Sequence, residues 1–263
     1  MSERIETPSK SQLKHWGKLT MEKYRRQEGL FLAEGMKVVG ELLRSGRPVE
    51  ALLVCEEKTG RWEGLPAGAP TEIGIYRLSN REWEALSQDA APEGVMAVAV
   101  MTKPPGPNFL SEAGGPLLLL YRVNNPNNLG ALLRTADWFG FRTVFLSDGS
   151  VEATNPKVVR TSMGSLFHLT VVEDCDFEQL LSRLRGRFQV VGSEVREGIS
   201  PHPCAVETAL LMGSESHGLP AELLALTDER WRIPGKGGVD SLSLPQAAAV
   251  MMYECTREMD QGR

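Results

Sequence analysis

The sequence predicts an α/β protein in two consecutive domains, and three observations carry that reading. Leu117-Leu-Leu-Leu-Tyr, Thr143-Val-Phe-Leu, Phe188-Gln-Val-Val-Gly and Thr208-Ala-Leu-Leu-Met-Gly are short runs in which nearly every position is apolar. Strands of that kind are covered on both faces, as in parallel sheets. Helical segments alternate with them, and parallel strands need such crossovers. Finally, the stretch from Thr102 to Pro116 packs four prolines and three glycines into fifteen residues, a density of breakers that marks a boundary. The expected division is residues 1–101, a linker over 102–115, and a second domain over 116–263.

Within the first domain, Ser11 to Arg26 has helical spacing, and Phe31 to Leu43 puts Val38, Leu42 and Leu43 on one face. Gly46 and Pro48 interrupt the chain before Ala51-Leu-Leu-Val-Cys, a short strand. Ile73 to Leu78 reads as a second strand, Ser79 as the N-cap of a helix reaching Leu86, and Gly94-Val-Met-Ala-Val-Ala-Val-Met as a third strand. In the second domain a helix from about Leu129 to Phe139 follows the first apolar strand, and Phe177 to Leu184 forms another. Pro245 to Met259 reads as a closing helix with Ala247, Val250, Met251 and Glu254 at helical spacing. No internal repeat or low-complexity tract is present.

Composition narrows the class. The chain has 263 residues, 41% of them hydrophobic and 24% charged, with 29 Lys+Arg against 34 Asp+Glu. That is the balance of a globular protein with enough chain to bury a core without staples. Cys55, Cys175, Cys204 and Cys255 are too widely spaced for a CxxC pair, so neither zinc nor another metal, nor a disulfide framework, is expected. The first ten residues hold no apolar h-region and no run approaches 18 apolar residues, which predicts a cytoplasmic protein without a membrane partner. Charge is uneven. Residues 1–50 hold ten basic and seven acidic side chains, a balance of +3 that leaves −8 for the remainder of a chain at −5. Such asymmetry fits a local nucleic-acid footprint and equally fits a solvated helix face.

Three glycine-punctuated segments follow strands of the second domain, where open α/β sheets bind ligands. In Asn124-Asn-Pro-Asn-Asn-Leu-Gly-Ala-Leu-Leu-Arg-Thr-Ala a tight turn opens a helix that carries Asn128 and Arg134. Six residues rotate a helix by roughly 240°, so these two share a face only if Asn128 lies at or before the cap. Asn128 as a simple cap is the alternative. Arg134 sits among apolar neighbours, where an unpaired guanidinium is costly, which predicts a bound anion or carboxylate.

The second segment, Leu210-Leu-Met-Gly-Ser-Glu-Ser-His-Gly-Leu-Pro, offers Gly213 for close backbone approach and Glu215 and His217 for proton or hydrogen-bond chemistry. A nucleophile elbow at Ser216 needs a downstream histidine, and none follows His217. GxxxxGK[ST] and GxGxxG are both absent, which argues against nucleotide enzymes. The third segment runs from Arg232-Ile-Pro-Gly-Lys-Gly-Gly-Val-Asp to Ser241-Leu-Ser243-Leu-Pro-Gln. It is a glycine-rich loop at a helix entrance, with main-chain groups free for a planar polar ligand.

Together the three segments resemble the motifs of the SpoU (TrmH) class of SPOUT RNA ribose methyltransferases, in that family's order, over residues 115–260. Asn155-Pro-Lys-Val-Val-Arg-Thr-Ser-Met-Gly-Ser also fits its pattern, and Tyr24-Arg-Arg to Phe31-Leu-Ala-Glu34-Gly is similar to the L30e-like substrate-binding domain that often precedes it. The resemblance implies a C-terminal domain threaded into a trefoil knot. It implies S-adenosylmethionine held at Met212, Gly213, Ile233 and Leu242, with Arg134, Asn128, Glu215, Ser241 and Ser243 as catalytic residues. It further implies a homodimer in which Arg134 of one subunit reaches the other's cofactor. The expected activity is methyl transfer to a ribose 2′-hydroxyl of structured RNA, rRNA ahead of tRNA.

The third motif departs from the family's Ser-Leu-Asn-Val-Ser, since Ser243 replaces the Asn and Pro245 the final Ser. That departure motivates an alternative, an RNA-binding or assembly protein with the methyltransferase fold and impaired catalysis. Arg134 is always protonated, so clamping phosphate and stabilising a developing alkoxide suit it better than acting as a base. Lys10, Lys14 and Lys18, at four-residue steps, together with Arg25 and Arg26 are the expected RNA-binding side chains.

Overall fold

The structure is a computed structural model that describes residues 5–58, 73–103, 105–106, 109–204 and 207–258. Its chain divides into two compact units. The first joins Met1–Lys103 to Glu152–Phe167, and the second joins Pro104–Val151 to His168–Arg263. The division after Lys103 falls within the expected linker over 102–115, and it is accompanied by an excursion in which the segment after residue 151 packs with the N-terminal unit before the chain returns.

The first unit holds a five-stranded mixed sheet. Its elements are β1 (Ile5–Glu6), α1 (Lys10–Lys18), α2 (Glu22–Glu28), β2 (Leu30–Glu34), α3 (Met36–Arg44), β3 (Val49–Cys55), β4 (Gly74–Leu78), α4 (Asn80–Glu84) and β5 (Val95–Val100). The strand order is β1-β4-β3-β5-β2, with β5 antiparallel to both of its neighbours. Trp16, Leu53, Trp83 and Met96 are among the side chains of its core.

The helix expected over 11–26 is two helices. Ser9 caps the first, with Gln12 N–H donating to its Oγ at 3.2 Å. At the other end the Thr20 hydroxyl donates to the Gly17 carbonyl at 2.8 Å, taking an acceptor a continuing helix would use. Val38, Val39 and Leu42 of α3 are buried as the spacing predicts, whereas Leu30–Glu34 is a strand that the same apolar pattern had merged with that helix. Gly35, at φ +109°, makes the turn between them, a conformation that suits glycine. Helix α4 stops at Glu84, short of Leu86.

Arg25 corrects the expected RNA-binding set. It is 2% exposed, donates to the Leu19 carbonyl at 2.7 Å and pairs with the equally buried Glu152. A charge pair sequestered in this way is a fixture of the fold, because breaking it strands a buried ion at a cost of about 3–5 kcal/mol. The pair also ties the Glu152–Phe167 excursion into the first unit.

In the second unit the elements continue as α5 (Phe109–Glu112), β6 (Leu117–Leu120), α6 (Pro126–Trp138) and β7 (Thr143–Ser147). After α7 (Pro156–Thr161), which belongs to the first unit, come β8 (Thr170–Cys175), α8 (Phe177–Leu184), β9 (Gln189–Ser193), β10 (Thr208–Met212), α9 (Ala221–Leu224), β11 (Glu229–Trp231) and α10 (Leu244–Thr256). The sheet is parallel throughout, in the order β11-β9-β10-β6-β7-β8. β6, apolar at every position, and β10, apolar at all but Thr208, are central and wholly buried.

From β6 the chain builds outward through β7 and β8, then crosses to build β9, β10 and β11 on the other side. The switch point falls between β6 and β10, whose last residues, Leu120 and Met212, are in register. That is where an open parallel sheet leaves a crevice for ligands.

Helix α10 is phased differently from expectation. Leu244, Ala248, Met251, Met252 and Cys255 are buried, while Val250 and Tyr253 are exposed and Ala247 and Glu254 are half-buried. The reason lies at its start. Leu244 is the first buried residue after the loop, and the i, i+4, i+7, i+8 series from there fixes which stripe faces the core.

Candidate active site at the carboxyl ends of two central strands

Two loops flank the switch point. After β6 the chain turns through Arg122 to Asn125, and Asn125, not Asn128, caps α6, its side chain accepting Asn127 N–H at 2.9 Å with Pro126 at the first helical turn. Asn128 therefore lies inside the first turn with its side chain free for other work. It donates from Nδ2 to Glu215 Oε1 at 2.9 Å, joining the first and second motifs across the crevice.

Glu215 belongs to a tight turn after β10, closed by Ser214 N–H to the Gly218 carbonyl at 3.2 Å and Gly218 N–H to the Ser214 carbonyl at 3.0 Å. This turn explains Gly213 differently from expectation. A Cβ there would sit 2.2 Å from the Gly218 carbonyl carbon, so the backbone that approaches Gly213 is the loop's own. Met212 is buried, and its carbonyl already accepts Tyr121 N–H at 2.9 Å.

With Asn128 inside the helix, Arg134 lies on another face, so one subunit does not bring the two together. Arg134 is exposed and has no hydrogen bond or ion pair among the described residues. The expected desolvation cost is thus absent from the single chain, because the apolar neighbours of Arg134 point elsewhere on α6. Its own face continues one turn later to Trp138, 85% exposed. Across from it on α10, Val250 and Tyr253 are exposed, with the Tyr253 ring 6.2 Å from that of Phe139. Val250, expected in the packed stripe of the closing helix, is thus part of this exposed patch instead.

The third motif is an open loop. No hydrogen bond among the described residues uses a main-chain N–H from Ile233 to Leu242, and Leu242 and Val239 expose apolar side chains. Ser241 is exposed within it. Ser243 is the N-cap of α10, forming a capping box in which Gln246 Oε1 accepts from the Ser243 hydroxyl at 3.0 Å and its N–H at 3.3 Å. Pro245 sits in the first turn of α10, where its missing N–H is no loss. The two departures from the family motif are thus what a helix start favours. His217 is exposed, its N–H donating to Ser214 Oγ at 3.3 Å. No described hydrogen bond links Ser241, Ser243 or Arg134 to the Asn128–Glu215 pair.

In the first unit, Lys10 and Lys14 are exposed on α1, as is Arg26 on α2, the last with its Nε 2.9 Å from Glu22. Lys18 is half-buried, its Nζ 5.2 Å over the Tyr24 ring. Among the described residues no helix is long and apolar enough to cross a membrane.

Comparison with known proteins identifies relatives of both domains. Residues 10–97 match the MRM3-like substrate binding domain. The chain is 32% identical over 254 residues to the 23S rRNA (guanosine(2553)-2′-O)-methyltransferase of Bacillus subtilis, covering 95% of this chain and 98% of that protein. It is 27% identical over 254 residues to the 23S rRNA (uridine(2479)-2′-O)-methyltransferase of Streptomyces viridochromogenes, covering 91% and 86%. Among solved structures, an RNA methyltransferase of the TrmH family from Porphyromonas gingivalis superposes with a TM-score of 0.82 at 31% identity, covering 95% of this chain and 99% of that one. The SpoU methyltransferase AviRb of Streptomyces viridochromogenes, solved in complex with AdoMet, shares the fold at 24% identity and a TM-score of 0.81, covering 97% and 100%. Residues 116–253 match the SpoU rRNA Methylase family, and the chain belongs to that family.

Proposed function

We propose that this protein is an S-adenosylmethionine-dependent methyltransferase that modifies a ribose 2′-hydroxyl of rRNA, working as a cytoplasmic homodimer. The observation that carries the reading is the Asn128–Glu215 hydrogen bond at the switch point, beside a loop whose main-chain donors from Ile233 to Leu242 have no partner among the described residues. Free main-chain groups and exposed apolar side chains are what an adenosine moiety needs, and they fit the cofactor at Ile233 and Leu242. When bound there, the cofactor supplies an electrophilic methyl group.

The chain's own residues do the rest. Glu215 accepts from the Asn128 carboxamide and fixes its orientation, leaving the Asn128 carbonyl to face the crevice. The side chain of Arg134 suits a phosphate clamp, because its planar fork donates two parallel hydrogen bonds and its charge stabilises the alkoxide as the 2′-hydroxyl loses its proton. Since Arg134 does not share a face with Asn128, a second copy is the source of that arginine. The exposed Trp138, Val250 and Tyr253 patch beside it supplies the apolar surface such a dimer buries.

The experiment is tritiated-methyl incorporation into purified rRNA and tRNA, paired with calorimetry of cofactor binding and with ribose-methylation mapping in a deletion strain. Incorporation into rRNA, at a site whose methylation disappears in the deletion strain, supports the reading. Cofactor binding without incorporation into any RNA replaces it with an assembly protein of impaired catalysis.

A further inference from the structure

The four cysteines, for which the sequence spacing predicts no disulfide framework, are not equivalent in the fold. Cys204 lies on the segment leading from β9 to β10, and Cys255 in the last turn of α10. The Cys204 N–H donates to the Cys255 carbonyl at 3.0 Å. That hydrogen bond makes the two backbones immediate neighbours, as a disulfide, with Cα atoms roughly 4.4–6.8 Å apart, requires. The two thiols lie near enough for each to shift the other's titration, Cys255 favouring the Cys204 thiolate and Cys204 holding the proton on Cys255.

The surroundings divide the pair into two roles. Cys204 is half-buried, with its S–H 3.6 Å from the His202 carbonyl. The neighbouring Cys255 thiol, which outweighs the opposing effect of burial, then Thr208 and the His202 ring push the Cys204 thiol below its ordinary value. Glu229 accepts from His202 Nε2 at 3.0 Å and helps raise the His202 pKa, after the larger contribution from the Pro203 carbonyl. Cys255 is buried, and the neighbouring Cys204 followed by burial holds its proton on. A partly accessible, thiolate-prone sulfur beside a protonated, sheltered one is the arrangement of a peroxide-sensing cysteine and its resolving partner.

The geometry points to Cys204 and Cys255 as a reversible redox site that a hydroperoxide converts into an intramolecular disulfide. The Cys204 thiolate attacks one peroxide oxygen; the S–O bond forms, the O–O bond breaks and hydroxide leaves. Cys255 then attacks the Cys204 sulfenic sulfur; the S–S bond forms, the S–O bond breaks, and the oxygen departs as water with the Cys255 proton. For hydrogen peroxide the balance is two thiols and one peroxide giving one disulfide and two waters, with two electrons passing from sulfur to oxygen.

The bond would bear on the glycine-rich loop. Ile199, five residues before Cys204, pairs with Trp231 of β11, and Arg232 N–H donates to the Ile199 carbonyl at 2.8 Å. The loop from Ile233 to Leu242 begins there and ends at the N-cap of α10, whose far end carries Cys255. Oxidation therefore ties the segment that pairs with β11, where that loop starts, to the helix on which it ends.

Cys55 and Cys175 serve as internal controls. Cys55 is fully buried, and burial followed by the charges of Asp174 and Glu173 pushes the Cys175 thiol up to about 11. The test treats the full-length protein with equimolar hydrogen peroxide, alkylates the remaining thiols and maps non-reduced peptides by mass spectrometry. The expected result is a Cys204–Cys255 cross-linked peptide within one chain, dissolved by dithiothreitol, with Cys55 and Cys175 remaining reduced. Cys255→Ser should leave Cys204 as a sulfenic acid that dimedone traps, and Cys204→Ser should slow peroxide consumption at least tenfold. Retention of both thiols under these conditions, a cross-link only between chains, or unchanged peroxide consumption in Cys204→Ser would each overturn the proposal.

Discussion

At the scale of the residue, the candidate site separates side chains whose types the sequence displays from relations it does not. Asn128, Glu215 and Arg134 stand in recognisable motifs, but the sequence left open whether Asn128 caps its helix. Asn125 does so instead, because Pro126 restricts its predecessor to extended backbone, which is what an N-cap needs. Asn128 is thereby released to meet Glu215.

The proposed role of Arg134 predicts that Arg134→Ala abolishes methyl incorporation while cofactor affinity by calorimetry changes less than tenfold, since the side chain acts on RNA. Arg134→Lys should restore little, because an ammonium cannot reproduce a bidentate fork. For Ser243→Asn, exposure removes any expectation of overpacking, and Asn caps a helix as well as Ser does. Stability, read by thermal melting, should hold to within about 0.5 kcal/mol while turnover rises; a lower rate would mean that the serine hydroxyl itself is used.

Glu34 offers a test by pH. Burial raises its pKa, the Ser87 hydroxyl donating at 2.6 Å lowers it, and Asp89 raises it further. A carboxyl with a raised folded pKa favours the fold when protonated. Its contribution is therefore present below the unfolded value near 4.5 and lost as pH rises through the folded one. Glu34→Gln, which keeps an acceptor for Ser87, should melt higher than the parent at pH 7, with the gap closing toward pH 4.

At the scale of the element, legibility followed burial. β6, β7 and β10, apolar at nearly every position, were readable because a strand covered on both faces leaves no room for polar residues. β8 and β11 were not, because they are the edges of the sheet and their Thr-Val-Val-Glu-Asp-Cys and Glu-Arg-Trp compositions answer to water on one side. The glycine-rich loop was legible as a loop, whereas the phase of α10 was not. Periodicity gives the existence of an apolar stripe, and α10 is apolar widely enough to offer two. One of them packs inward, and the other, with Val250 and Tyr253, is the face proposed for the dimer. Tyr253→Glu should therefore convert a dimer to a monomer in sedimentation velocity and abolish transfer, without lowering the stability of the chain by more than about 0.5 kcal/mol, as expected of an exposed position. A dimer that survives both this change and Trp138→Glu would move the interface elsewhere.

At the scale of the molecule, the charge asymmetry and the interleaving of the two units decide how RNA recognition can be tested. All three motifs lie beyond the proline-rich stretch, which makes a truncation starting near Gly114 look attractive. The excursion speaks against it, because Glu152–Phe167 belongs with the first unit and Glu152 would lose Arg25, its buried partner. Surface charge in the full-length chain is the cleaner variable. Arg25 is unavailable to RNA and Arg26 is paired with Glu22, so of the five side chains expected to bind RNA the three lysines Lys10, Lys14 and Lys18 along α1 remain to be tested. The remainder of the chain, at −8, repels phosphate at long range. The triple substitution Lys10→Ala, Lys14→Ala, Lys18→Ala should weaken rRNA binding and flatten its dependence on salt by about 0.7–0.9 in the log–log slope for each phosphate that a lysine no longer neutralises. Cofactor affinity should be unchanged, since the glycine-rich loop lies in the other unit. If the salt slope of the variant equals that of the parent, α1 does not dock on phosphate, and recognition must instead be assigned to the unit that carries the motifs, against its net charge.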